Sequence, residues 1–147
     1  MRRDIKKIIN YTLDKLDMNS EEASELIFKT GEAESGYRAL SQRGGPAVGF
    51  FQVEPDTILD TWDNYAMYRP ELKTKLWGIG FDDTKAEMCV MSSIALQVAF
   101  CRLKYRRDPH PLPKVGDIEA QAKYWKRVYN SHKGRGTIKH FIEANGG

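Results

Sequence analysis

The sequence predicts a mostly α-helical domain built around one buried central helix, and three observations predict it. Apolar residues recur three and four positions apart in several stretches, which places them on single helix faces. One stretch, Met88 to Leu103, is apolar on all sides, as a helix enclosed by its neighbours would be. A length of 147 residues suits one domain, residues 1–147, large enough to bury roughly 68–70% of its unfolded surface.

Taken in order, Asp4 can cap a first helix whose stripe is Ile5, Ile8, Ile9, Thr12, Leu13 and Leu16. Asn19 or Ser20 can cap a second, with Glu22 as a capping-box partner and Ala23, Leu26, Ile27 and Thr30 at helical spacing. Ser41 to Pro46 is loop by composition. Pro55 suits a first helical turn, and Ile58, Leu59, Trp62 and Tyr65 then recur helically. Glu71 to Trp77 makes a short helix after Arg69-Pro70. Of the aromatic residues Trp62, Tyr65, Tyr68 and Trp77, core packing is expected for Trp62. Thr84-Lys85-Ala86-Glu87 reads as a capping box opening the central helix. Cys89 and Cys101 on that one helix would stand about 18 Å apart, beyond disulfide reach. Pro109, Pro111 and Pro113 stiffen a linker. Asp117 caps a helix carrying Ile118, Ala122, Trp125 and Tyr129 on one face. Gly134-Arg135-Gly136 turns the chain, and Thr137 caps a last helix with Ile138, Phe141 and Ile142.

Composition excludes several classes. With 41% hydrophobic residues the chain is not of a disordered type. No apolar run approaches the ~18 residues of a membrane span. The first ten residues are punctuated by charges and lack a signal-peptide core, so export by the usual route is not expected. His110, His132 and His140 have no metal-ligand spacing, and no phosphate loop or nucleophile elbow occurs. No metal or cofactor is expected. The net charge of +3 is uneven: residues from Arg102 onward carry 11 Lys/Arg against 4 Asp/Glu. That basic third can attract an anionic polymer, or can be a solvated surface.

The residue that carries chemistry is Glu34. It continues the apolar stripe of the second helix, seven residues after Ile27. A carboxylate there loses solvation and its pKa rises, the condition for a general acid at neutral pH. The alternative is that Glu34 turns outward and is solvated. Glu32, the nearest substitute, points about 200° away around the helix.

Glu34-Ser35, Tyr37, Ala47, Gly49-Phe50-Phe51-Gln52-Val53, Pro55 and Thr57 resemble, without a gap, the signature of the soluble lytic transglycosylases, part of the lysozyme-like superfamily. Tyr129-Asn130 matches that family's later aromatic-Asn pair. The sequence departs from the family at Arg43, at the bulkier Phe50-Phe51, in Met91 to Ala99, and at Ser131-His132-Lys133-Gly134. The resemblance implies a lysozyme-like, α+β arrangement in which a small strand-containing flap holds Gln52 beside the catalytic Glu34. It implies cleavage of the β-1,4 bond between N-acetylmuramic acid and N-acetylglucosamine in peptidoglycan, with Ser35, Phe51, Gln52, Tyr129 and Asn130 contacting the glycan. Tyr129 is expected to hold or orient Glu34. The family forms a 1,6-anhydro product and needs no second carboxylate. A muramidase would need one, for which Glu54, Asp56 and Asp60 are nearby in sequence. A non-catalytic glycan-binding or virion module, and a nucleic-acid binder, are the readings from other classes; retained Glu34, Gln52 and Tyr129 argue against both. The Tyr124 to Asn130 and Gly134 to Phe141 segments resemble phage-encoded wall-degrading proteins. The expected partners are therefore glycan strands and other virion proteins, not nucleic acid.

Overall fold

The computed structural model describes residues 1–38, 46–130 and 134–147. The expectations for Arg43, for most of the Ser41 to Pro46 loop and for Ser131 to Lys133 lie outside the described residues. Helix α1 (Arg2–Lys15) buries Ile5, Ile9, Thr12 and Leu13, the predicted stripe, and starts one turn before its expected cap, so Asp4 lies inside the first turn. Helix α2 (Glu21–Glu34) packs on α1. Ser20 caps it by accepting from the Ala23 N–H at 3.0 Å, which leaves Asn19 outside the cap. Its buried face is Ala23, Leu26, Ile27, Thr30, Gly31 and Ala33, and Glu34 is its last residue.

Beyond Glu34 the chain reverses through Gly36 and Tyr37, both with positive φ (61° and 58°). A Cβ at Gly31 would fall on the Tyr37 ring, so glycine there lets that ring lie against the helix. Tyr37 is 2% exposed, and its hydroxyl donates to the Phe28 carbonyl at 2.7 Å. It forms a cluster with Phe28, Phe50 and Phe51.

The expected strand-containing flap is corrected. No strand forms among the described residues; Val48–Val53 is a turn closed by one isolated antiparallel bridge. Pro46 and Pro55 flank it, and neither offers the N–H that a longer ladder needs. Gly49 and Gln52 take positive φ inside it (80° and 50°). The bridge is anchored from behind by Gln97, whose Oε1 accepts from the Phe50 N–H at 3.0 Å. A Cβ on Gly49 would collide with that carboxamide.

Helices α3 (Pro55–Asn64) and α4 (Pro70–Ile79) each begin with proline. The sequence predicts this for Pro55, whereas α4 starts one residue before the expected Glu71. Trp62 is core, packed on Phe81, whereas Trp77 and Tyr68 are exposed. The next element departs from expectation. Met88 to Leu103 is not one helix but two, α5 (Ala86–Met91) and α6 (Ile94–Arg106), bent by 108° at Ser92-Ser93. Ser93 caps α6 by accepting from Leu96 N–H at 3.2 Å, and a serine that offers a cap competes with helix continuation. The carbonyls freed at the bend are taken by Gln97 Nε2, which donates to Val90 and Met91 at 3.0 and 3.1 Å. Nor is Thr84 a cap: Asp82 accepts from the Thr84 N–H at 2.9 Å and opens a short 3-10 turn. Cys89 and Cys101, now on different helices, are both free thiols; Cys101 is fully buried.

Helix α6 is the central element, packed by α1, α2, α3, α4, α5 and the late helical segment. That segment is α7 (Ile118–Tyr124), capped by Asp117, running on into a π-helical turn over Trp125–Asn130. Helix α8 (Ile138–Ala144), capped by Thr137, closes against α2 and α7. No single helix among the described residues is long and apolar enough to cross a membrane.

Candidate active site

Glu34 ends α2 where the Val48–Val53 turn, α6 and the π-helical turn converge. It is partly exposed. Trp125, 1% exposed, donates its indole Nε1–H to Glu34 Oε2 at 2.9 Å. The Asn130 side chain lies near enough to act weakly on Glu34 in the same sense as Trp125. In an α-helix, residues five apart point about 140° away from each other. The wider π turn, with its i to i+5 bonding, brings Trp125 onto the carboxyl group and Asn130 to the same side of it. Gly136 leaves room for the indole: a Cβ there would meet the Trp125 ring at 2.5 Å. Asn130 is itself held, its Oδ1 accepting from Lys126 Nζ at 2.8 Å.

Burial lifts the pKa of Glu34 from 4.5 to about 7; the hydrogen bond from Trp125, the charges of Lys104 and His140 and the Asn130 side chain oppose it. Desolvation wins. Because Trp125 donates to Oε2, the neutral acid is favoured with its proton on Oε1. His140 Nε2 lies 2.7 Å from the Ala33 carbonyl, which fixes its ring beside the end of α2. Lys104 is partly buried on α6, with Nζ 4.4 Å from the centroid of the Tyr129 ring. Burial lowers its pKa, while Glu34, Cys101 and Glu54 act in the opposite sense.

The other sequence-derived site residues fall in different places. Tyr129 does not hold Glu34. It is 3% exposed, stacks on Tyr105, and donates its hydroxyl to the Phe51 carbonyl. Trp125, one turn earlier on the same stripe, holds the carboxyl group instead. Phe51 is fully enclosed (0% exposed) and presents no surface to a glycan. Ser35 donates Oγ–H to the Phe50 carbonyl at 2.6 Å and accepts from the Tyr37 N–H at 3.0 Å. It ties the end of α2 to the turn, so its hydroxyl is already engaged. Gln52 is partly exposed, and its Nε2 donates to the Gly49 carbonyl at 2.7 Å. Asn130 does lie near Glu34. Glu32 is paired with Arg2 at 2.7 Å, away from the site. Asp60 is paired with Arg107 at 2.6 Å, and Asp56 is exposed.

No family model matches the chain, and neither a curated protein nor a solved structure matches it. Any functional reading therefore rests on the site itself and on the motif resemblance. Trp125, Lys104 and His140 were missed in the sequence. Trp125 had a signal, since it shares a helical stripe with Tyr129. Lys104 and His140 had none, because only the packing of α6 and α8 brings them near Glu34.

Proposed function

We propose that the protein is a lytic transglycosylase that cleaves the bond between N-acetylmuramic acid and N-acetylglucosamine in peptidoglycan. The observation that carries this reading is a partly exposed carboxyl group at the end of α2, held by an indole N–H at 2.9 Å, whose pKa burial lifts to about 7. Such a group protonates the bridging oxygen from Oε1 as the glycosidic bond breaks and oxocarbenium character develops at the muramic acid C1. The resulting carboxylate then takes the proton from the C6 hydroxyl, whose oxygen bonds to C1. The product is the 1,6-anhydro sugar, and the carboxyl group returns to its starting state without water. Trp125 serves both halves, since a hydrogen bond to an anion strengthens as the proton leaves. The likeness of Tyr124 to Asn130 to phage wall-degrading proteins supports a phage-encoded enzyme.

One observation favours a second reading, a muramidase. Glu54 is exposed and acts electrostatically on Lys104, as Glu34 does. Of the three carboxylates nearby in sequence it is the one that shares this neighbourhood, and a hydrolase would use it to activate water. Product mass separates the two. Purified walls digested with the protein are expected to yield anhydro-muropeptides from the first time point. Products heavier by one water would overturn the transglycosylase, and loss of that hydrolysis in Glu54→Gln would then assign Glu54 as the second carboxylate.

A further inference from the structure

A cavity of about 570 Å³ lies at the opposite end of α2 from Glu34, between Ser20 and Glu22, the last turns of α6, and the linker 108–112. Ser20 and Glu34 are about 21 Å apart along the helix, so the two sites are separate. Arg102 lines this cavity although it is only 6% exposed. Its Nε donates to the Met18 carbonyl at 3.2 Å, and Nη1 is enclosed without a hydrogen-bond partner among the described residues. Arg106, exposed, stands beside it in the same cavity and repels it. Two carboxylates line the cavity as well. Asp108 is engaged by the Tyr124 hydroxyl at 3.0 Å, by Arg127 at 3.2 Å and by His110 at 3.2 Å. Glu22 makes no ion pair among the described residues. Nη1 is sealed from the cavity, so an anion can meet only the rest of the guanidinium. A largely buried guanidinium with a like charge beside it is still costly unless an anion joins the pair.

We propose that this cavity is an oxyanion site, taking a phosphate group between Arg102 and Arg106. Guanidinium groups bind such oxygens in pairs of parallel hydrogen bonds. The cavity exceeds the volume of a bare phosphate, and Pro109, Pro111 and Leu112 give it an apolar wall. It therefore suits a phosphate carried on a small organic body such as a sugar. The proposal is independent of the reaction at Glu34.

Titration calorimetry on the full chain at low ionic strength, with inorganic phosphate and with glucose 6-phosphate, tests it. Saturable binding of either supports the site. The tighter of the two names the source: free phosphate, or phosphate carried on a sugar. Arg106→Gln, a change on an exposed side chain, is expected to weaken that binding about fivefold or more. Arg102→Met is expected to abolish it, while melting no lower than the wild type in anion-free buffer. No binding of either ligand would overturn the proposal, as would binding unchanged in Arg106→Gln or equal heats from sodium chloride. Should Arg102→Met fail to fold, Arg106→Gln decides alone.

Discussion

Glu34→Gln is expected to lower wall cleavage by at least ~10²-fold and, at pH 8, to raise the melting temperature. The second effect follows from the sign of the shift. The folded protein holds the Glu34 proton up to about pH 7, whereas the unfolded chain releases it near 4.5. Between those values the folded state binds more protons, so stability falls as pH rises and stays low above pH 7. The cost at full ionisation is on the order of 3 kcal/mol. Glutamine keeps an acceptor for the Trp125 N–H and carries no charge, so it removes the cost. At this chain length the gain corresponds to roughly 4–10 °C at pH 8, shrinking towards zero by pH 4. Thermal melts at pH 4 and pH 8 check it. An inactive variant with no pH-dependent gain would place Glu34 in a solvated environment. An active Glu34→Gln protein, with Glu32→Gln inactive, would move the acid to Glu32.

Trp125→Phe keeps a ring in the core and removes the donor that faces Glu34 Oε2. Two consequences are expected. The carboxylate loses a hydrogen bond that lowers its pKa, so the pH at which activity fails should move upward. The carboxyl group also loses its fixed orientation, and activity per folded molecule should drop about tenfold or more. The smaller ring leaves a cavity and a stability loss of about 1–2 kcal/mol. If Trp125 were packing alone, that stability loss would appear and the pH profile would stay in place. Rate profiles of the variant and the wild type, normalised to folded protein, separate the two.

The helices that begin with a strong local signal were legible in the sequence: Ser20, Asp117 and Thr137 as caps, Pro55 in a first turn. The bend between α5 and α6 was not, because apolar residues continue through it and its cost is met by Gln97 from a later turn. Glu34 was legible as a carboxylate on an apolar stripe. Its surroundings were not, since Trp125 reaches it, and Asn130 comes near it, through a π-helical turn that has no sequence period of its own. Phe51 and Tyr129 show the limit of a motif. Both residues are present at matching positions, yet one is enclosed and the other bonds the turn backbone.

The central claim is that one carboxyl group, neutral up to about pH 7, is sufficient for the chemistry. The pH dependence of kcat/KM on soluble wall fragments tests it most directly. The account predicts a flat rate from about pH 5 upward that falls through a single ionisation near pH 7. A second, acidic limb would require another group to be ionised before reaction. Such a bell-shaped profile, or a plateau that continues unchanged beyond pH 8, would contradict the account.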